Sequence, residues 1–229
     1  MIPLRDSIRA HRFPAVTIGL IAANVAVFLY QYLLLPESAQ RIIFQYGLIP
    51  RELTSGVPVV PHPFPAEVTL FTSMFVHGGF FHVAGNMLYL WIFGNNVEDA
   101  MGHARFILFY LLSGLAAAFT QVMAGPSSAI PMVGASGAVS GILGAYLLLY
   151  PHARVLTLIT LGWFWRLVEI PALVVLGFWI VVQVVNGLIT FNFQGGGVAW
   201  FAHIGGFAAG AALILFFKRR TVPVRLFRR

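Results

Sequence analysis

Cysteine is absent from all 229 residues, which excludes a disulfide framework, a thiolate metal site and a cysteine nucleophile. Charge is nearly as scarce. Asp, Glu, Lys and Arg make up 9% of the chain, where soluble domains carry about a quarter. Only seven residues are acidic, and none sits at the centre of an apolar run. Two classes of function lose ground on that account. A transporter usually couples to ions or protons through Asp or Glu near the bilayer midplane. A catalytic zinc site built on His77, His82 and His203 would want a carboxylate beside them or an HExxH helix, and neither occurs. No basic patch interleaved with aromatics is present, so nucleic acid is not an expected partner. No metal and no cofactor is expected.

What is there is apolar: 59% of the residues are hydrophobic. Six segments can cross a hydrocarbon core of roughly 30 Å, which takes about 20 helical residues. They are Ala15–Leu35, Phe81–Val97, Ala104–Ala124, Val133–Tyr150, Ile170–Ile189 and Ala199–Phe217. The expected fold is an all-α bundle of six membrane helices in one domain, residues 1–229, with no internal repeat and no linker. The first run is too long for a signal peptide, and no small-x-small cleavage site follows it, so it reads as a retained span. The second and fourth segments are less uniformly apolar and are expected to face protein or a cavity. The longest connection, Pro36 to Gly79, carries "GVPVVPHPFPAE" and must fold against the membrane surface or move.

Lys and Arg set the orientation. With a cytoplasmic N-terminus, that side holds Arg5, Arg9, Arg12, Arg105, Arg154, Arg166 and the six basic residues after Phe217, twelve in all, against Arg41 and Arg51 outside. Both termini are therefore expected to be cytoplasmic, and a bacterial plasma membrane is the expected location. The basic tail suits anionic lipid. "HARVLTLITLGWFWRLVEI", from His152 to Ile170, becomes a cytoplasmic connection apolar enough to lie along the interface.

Three polar clusters enter the spans from the outer side. In "VHGGFFHVAGN", His82 and Asn86 are four apart and share a helical face. "GASGAVSG" carries Ser136, and "AWFAHIGGFAAG" carries His203. Each has a bland reading. Gly137/Gly141, Ser136/Ser140/Gly144 and Ala202/Gly206/Gly210 are small-residue rows of the kind that pack helices, and Asn86 can be interhelical glue. His11, His62, His77, His103 and His152 lie in loops or at span ends and read as solvated. Convergence favours chemistry, because a serine, two histidines and an asparagine enter at similar depth. A serine becomes a nucleophile when a neutral histidine takes its proton. The resulting oxyanion needs donors already in place, and a helix start, Asn and His supply them. Close-packed rows then serve catalysis, since His203 reaches Ser136 only if their helices nearly touch.

These segments resemble the signature motifs of the rhomboid intramembrane serine proteases, and "FGNNVEDAMGHARF", with Glu98 and Gly102, is similar to that family's junction after the second span. The resemblance runs from the first span to the sixth. It implies Ser136 as nucleophile and His203 as general base of a dyad without an acid. Asn86 and His82, with the Ser136 N–H, would form the oxyanion hole. It also implies a water-filled pocket open to the outer side and cleavage of transmembrane protein substrates within the bilayer, at small residues near helix-weakening ones. The sequence departs from some members in two places. Ser140 stands where a tyrosine would stack on the catalytic histidine, so that support must come from elsewhere, and the long first loop has no Trp. Neither a soluble N-terminal domain nor a seventh span is expected. The competing reading is a catalytically silent relative that binds membrane clients; it has no need of all four polar residues.

Overall fold

The computed structural model describes residues 1–161, 163–191, 197–219 and 222. Of the basic C-terminal residues, Arg220, Arg225, Arg228 and Arg229 lie outside these. In chain order the elements are β1 (Ile2–Asp6), α1 (Ala15–Leu33), α2 (Pro36–Tyr46), α3 (Pro50–Ser55), a 3₁₀ turn (Ala66–Val68) and α4 (Thr69–Thr72). Then come α5 (Phe80–Tyr89), a π-helical turn (Leu90–Gly94), α6 (Asn95–Met101), α7 (His103–Ala124) and α8 (Ser136–Leu149). The chain continues through β2 (Arg154–Leu161), β3 (Phe164–Pro171), α9 (Ala172–Thr190) and α10 (Trp200–Phe217).

Among the described residues four helices, α1, α7, α9 and α10, are long and apolar enough to cross a membrane. The other two expected spans are irregular. The second runs without a break from α5 through the π turn into α6, so no single α-helix in it reaches spanning length. The fourth, α8, has only 14 residues and rises about 21 Å, short of a hydrocarbon core of roughly 30 Å.

The expectation of an all-α fold needs correction. β1, β2 and β3 form an antiparallel sheet in that order, with Leu158 opposite Ile2 on one side and Leu167 on the other. The β-branched alternation of "RVLTLITL" accounts for it: Val155 and Thr157 point to one side of the sheet and are fully buried. The fifth span accordingly begins at Ala172 rather than Ile170.

α1 is packed inside out. Its buried residues are Thr17, Asn24 and Gln31, spaced by seven along one face, while Leu29, Tyr30, Tyr32 and Leu33 are exposed. Lipid accepts an apolar surface, so polar side chains turn inward to find partners. The Gln31 amide clasps the backbone of His77, donating to its carbonyl and accepting its N–H, each at 3.2 Å. At the other end the Glu98 carboxylate, 1% exposed, accepts the backbone N–H groups of Val16 (3.0 Å) and Thr17 (2.8 Å) and the Thr17 hydroxyl (2.6 Å). A carboxylate from the α6 segment thus caps the first turn of α1. His103 bonds the same carboxylate, just past Gly102, whose φ of +88° turns the chain from α6 into α7.

α8 is the axis of the bundle, and all of its residues from Gly137 to Tyr146 are buried. The small-residue rows let backbones meet. A side-chain carbon on Gly206 or Gly210 would strike the carbonyl of Gly137 or Gly141, and one on Gly144 that of Phe207. α8 and α10 therefore touch main chain to main chain. Between Tyr46 and Phe80 the long connection is folded rather than loose. Leu48 and Ile49 are fully buried, and Leu48 exchanges backbone hydrogen bonds with Met132 (2.9 and 2.7 Å). His62 and His77 are not solvated as expected. The His62 ring is held between the Glu52 carboxylate and the Gln45 carbonyl, each at 2.8 Å, and His77 is 1% exposed.

Candidate active site

The first residue of α8, Ser136, lines a cavity of about 1110 Å³. α8 and α10 meet at small residues, and that brings His203 across. Its Nε2 is 2.8 Å from Ser136 Oγ. His82, Asn86, Ser136 and His203 all line this one cavity, so the four expected site residues are together.

The turn into α8 shapes the space beside the serine. Gly134 has φ +114° and donates its N–H to the Ser73 carbonyl at 2.8 Å. A side-chain carbon there would lie 2.5 Å from His82 Nε2 and 3.4 Å from Asn86 Nδ2, so glycine is required by both backbone and space. The same measurement says that these two nitrogens face the backbone just ahead of Ser136. Asn86 is 8% exposed, and its Nδ2 is one of four buried side-chain polar atoms without a partner among the described residues. The others belong to Asn24, Tyr110 and Ser113, none of which lines the cavity. An unpaired amide donor on a residue that lines a cavity is set to receive an acceptor from outside. The Ser136 N–H, opening α8, has no intrahelical partner by helix geometry and adds the positive end of the dipole.

Three residues given no part in the catalytic set by the sequence complete the surroundings: His77, read there as solvated, and Gln183 and Trp179, which were not singled out. His77, in the loop before α5, is held neutral by burial and by the nearby His82 ring, its pKa lowered to about 4. Its Nδ1 faces the Phe75 carbonyl at 3.3 Å, and its Nε2 takes the Ala135 N–H at 3.4 Å, fixing the residue before Ser136. On α9, Gln183 Oε1 is 2.7 Å from His203 Nδ1, and the Trp179 ring lies 5.8 Å from the imidazole, tilted by 37°. Gln183 was a lone amide inside "VVLGFWIVVQVV", the kind of intramembrane polar residue that calls for a partner. Ser140, a turn beyond Ser136, is no rival for the chemistry, because its hydroxyl donates to the Ser136 carbonyl at 2.6 Å and is 1% exposed. A hydroxyl against a histidine nitrogen, with side-chain donors lining the same cavity, is a set that can attack a carbonyl and hold the charge that forms.

Comparison with known proteins identifies the family. A family model described as "Rhomboid domain" matches residues 66–220. The mitochondrial Rhomboid protein 1 of Saccharomyces cerevisiae is 32% identical over 143 residues, 60% of this chain and 37% of its own length. RHOMBOID-like protein 1 of Arabidopsis thaliana is 35% identical over 154 residues, 66% of this chain and 34% of its own length. Rhomboid protease GluP of Bacillus subtilis is 35% identical over 144 residues, 63% of this chain and 25% of its own length. The aligned part is thus well under half of each relative. With more than half of the chain matched by the family model, this multi-pass membrane protein belongs to the rhomboid family.

Proposed function

We propose that the chain is a six-span intramembrane serine protease that hydrolyses peptide bonds in or near transmembrane segments of other membrane proteins. Ser136 Oγ attacks the scissile carbonyl while His203 Nε2 takes the hydroxyl proton. Asn86, His82 and the Ser136 N–H hold the oxyanion. The C–N bond then breaks, and His203 returns the proton to the leaving amine. A water entering through the cavity hydrolyses the acyl-enzyme with His203 again as base. No cofactor or metal takes part. The single observation that carries this reading is the 2.8 Å approach of His203 Nε2 to Ser136 Oγ inside a large cavity. The protease name of one relative, GluP, agrees with it.

The Lys/Arg bias supports both termini in the cytoplasm and the cavity opening outside a plasma membrane. The cysteine-free chain makes that testable: a cysteine at Ser55 should react with an impermeant maleimide in intact cells, and one at His152 should not. The reverse pattern would turn the protein over.

For activity, detergent-solubilised protein is labelled with a fluorescent fluorophosphonate and assayed on a transmembrane substrate. Ser136→Ala and His203→Ala should each reduce cleavage by about 10³-fold or more with the fold intact, because members of one unit do not contribute additively. Absence of labelling on the unaltered protein would leave a silent, client-binding relative instead.

A further inference from the structure

We infer that Gln183 is the positioning residue of the Ser136–His203 pair: it fixes the imidazole in the tautomer whose Nε2 lone pair faces the serine. The inference rests on the protease reading for its consequence and on geometry for its content. The amide can be oriented without assumption. Gln183 Nε2 lies 3.3 Å from the Trp179 carbonyl of its own helix, and a carbonyl only accepts. The amide nitrogen must therefore face Trp179, which turns Oε1 toward His203 at 2.7 Å. Oε1 also only accepts, so His203 Nδ1 must carry the hydrogen. In the neutral ring Nε2 is then left as acceptor, and Ser136 Oγ stands 2.8 Å away to donate to it. One chain of bonds runs from a helix carbonyl to the nucleophile. Every link in it allows a single direction.

Burial makes the link tight. Gln183 is 5% exposed and His203 9%, so water does not substitute for the amide at Nδ1. Trp179, one turn before Gln183, stacks obliquely on the imidazole, and α9 thereby holds both an edge and a face of the ring. This is the support expected to come from somewhere once Ser140 replaced a stacking tyrosine. A neutral amide also suits the site: it orients the imidazole as an acid would without the cost of an ionised carboxylate within the membrane.

Two measurements test it. The first needs no turnover. The ¹⁵N shifts of the His203 ring, assigned by difference from His203→Gln, should show a protonated Nδ1 and a bare Nε2 in the unaltered protein. Gln183→Leu, close in size but without an acceptor, should lose that signature. A bare Nδ1 in the unaltered protein, or an unchanged tautomer in the variant, overturns the inference whatever the enzyme does. The second is the rate of fluorophosphonate labelling beside melting temperature. Gln183→Leu should label about 10- to 100-fold more slowly, short of the 10⁴-fold cost of a wrong tautomer in an acid-supported triad. Substrate cleavage should fall in kcat with little change in KM. Gln183→Glu restores an acceptor and should recover to within about tenfold of the original rate. The acid limb of its rate profile should move to higher pH, because a carboxylate stabilises imidazolium. A purely structural glutamine would leave that limb where it was, and Gln183→Leu would then lose stability and labelling in step. Failure of the unaltered protein to label would sink the protease reading while leaving the tautomer measurement to decide this one.

Discussion

Two polar clusters lie at opposite ends of the helices, and they are built on opposite principles. At the sheet end the Glu98 carboxylate accepts bonds from Val16, Thr17 and His103, and the Asp6 carboxylate accepts from the Tyr146 hydroxyl (2.5 Å) and the Asn96 amide (2.7 Å). No side-chain polar atom of these residues is left buried without a partner among the described residues. At the Ser136 end a cavity of about 1110 Å³ is lined by Asn86, whose buried amide nitrogen has no partner among the described residues. A saturated network within a bundle joins elements that hydrophobicity alone cannot register, since lipid is as apolar as any core. An unsaturated one costs stability where it stands, and is understood only when a further acceptor arrives during function. The sheet end is therefore read as the part that holds, and the Ser136 end as the part that works.

The sharpest break in that contrast is Glu98→Ala. It uncaps α1 and strands the buried Thr17 N–H and hydroxyl and the half-buried Val16 N–H, and each buried donor left unsatisfied costs about 1–3 kcal/mol. Melting temperature should fall steeply, while the molecules that remain folded keep their fluorophosphonate labelling rate. Unchanged stability would mean that the saturated cluster does not hold the bundle together.

Asn86→Ala and His82→Ala probe the other end. One donor at a well-formed oxyanion hole is worth about 10²–10³ in rate, and a wet membrane cavity with the Ser136 N–H still present should lower that to about 10- to 100-fold. The loss should appear in kcat more than in KM, because the bonds strengthen only as the carbonyl becomes tetrahedral. Melting temperature should hold or rise for Asn86→Ala, whose buried amide nitrogen has no partner among the described residues. A clear drop in stability with unchanged kcat would make Asn86 and His82 structural glue instead.

Ser140→Ala sharpens the comparison with the smallest effect. It removes one local bond from a hydroxyl to the carbonyl a turn earlier, worth about 1 kcal/mol at most, and touches no cavity donor. Cleavage should stay within a few-fold of the original rate. Inactivity of Ser140→Ala beside an active Ser136→Ala would reassign the nucleophile.

Much of the protein was legible before any coordinates. The apolar runs marked the long helices, because a bilayer demands about 20 apolar residues in helical form and little else produces such runs. Ser136, His203, His82 and Asn86 stood out for the same reason, since polar groups are rare and costly at those depths. The small-residue rows of α8 and α10 announced that two backbones meet. The sheet was missed because "RVLTLITL" and "FWRLVEI" are apolar in either conformation, and what makes them strands is pairing with each other and with Ile2–Asp6, some 150 residues away in sequence. His62 and His77 were misread for a related cause: a loop position says nothing of the Glu52 or Gln31 that reaches it from elsewhere. Gln183 is the clearest case. Its residue type announced a polar partner inside the membrane, but which partner, which of its two amide atoms faced it, and hence which nitrogen of His203 holds the proton depended on α9 packing beside α10, which sets Gln183 Oε1 2.7 Å from His203 Nδ1. Composition and periodicity act through each residue's own contact with lipid or water, so the chain alone determines the spans and the residues out of place in them. Hydrogen-bond direction is a property of pairs brought from distant parts of the chain, and only the packed bundle decides it.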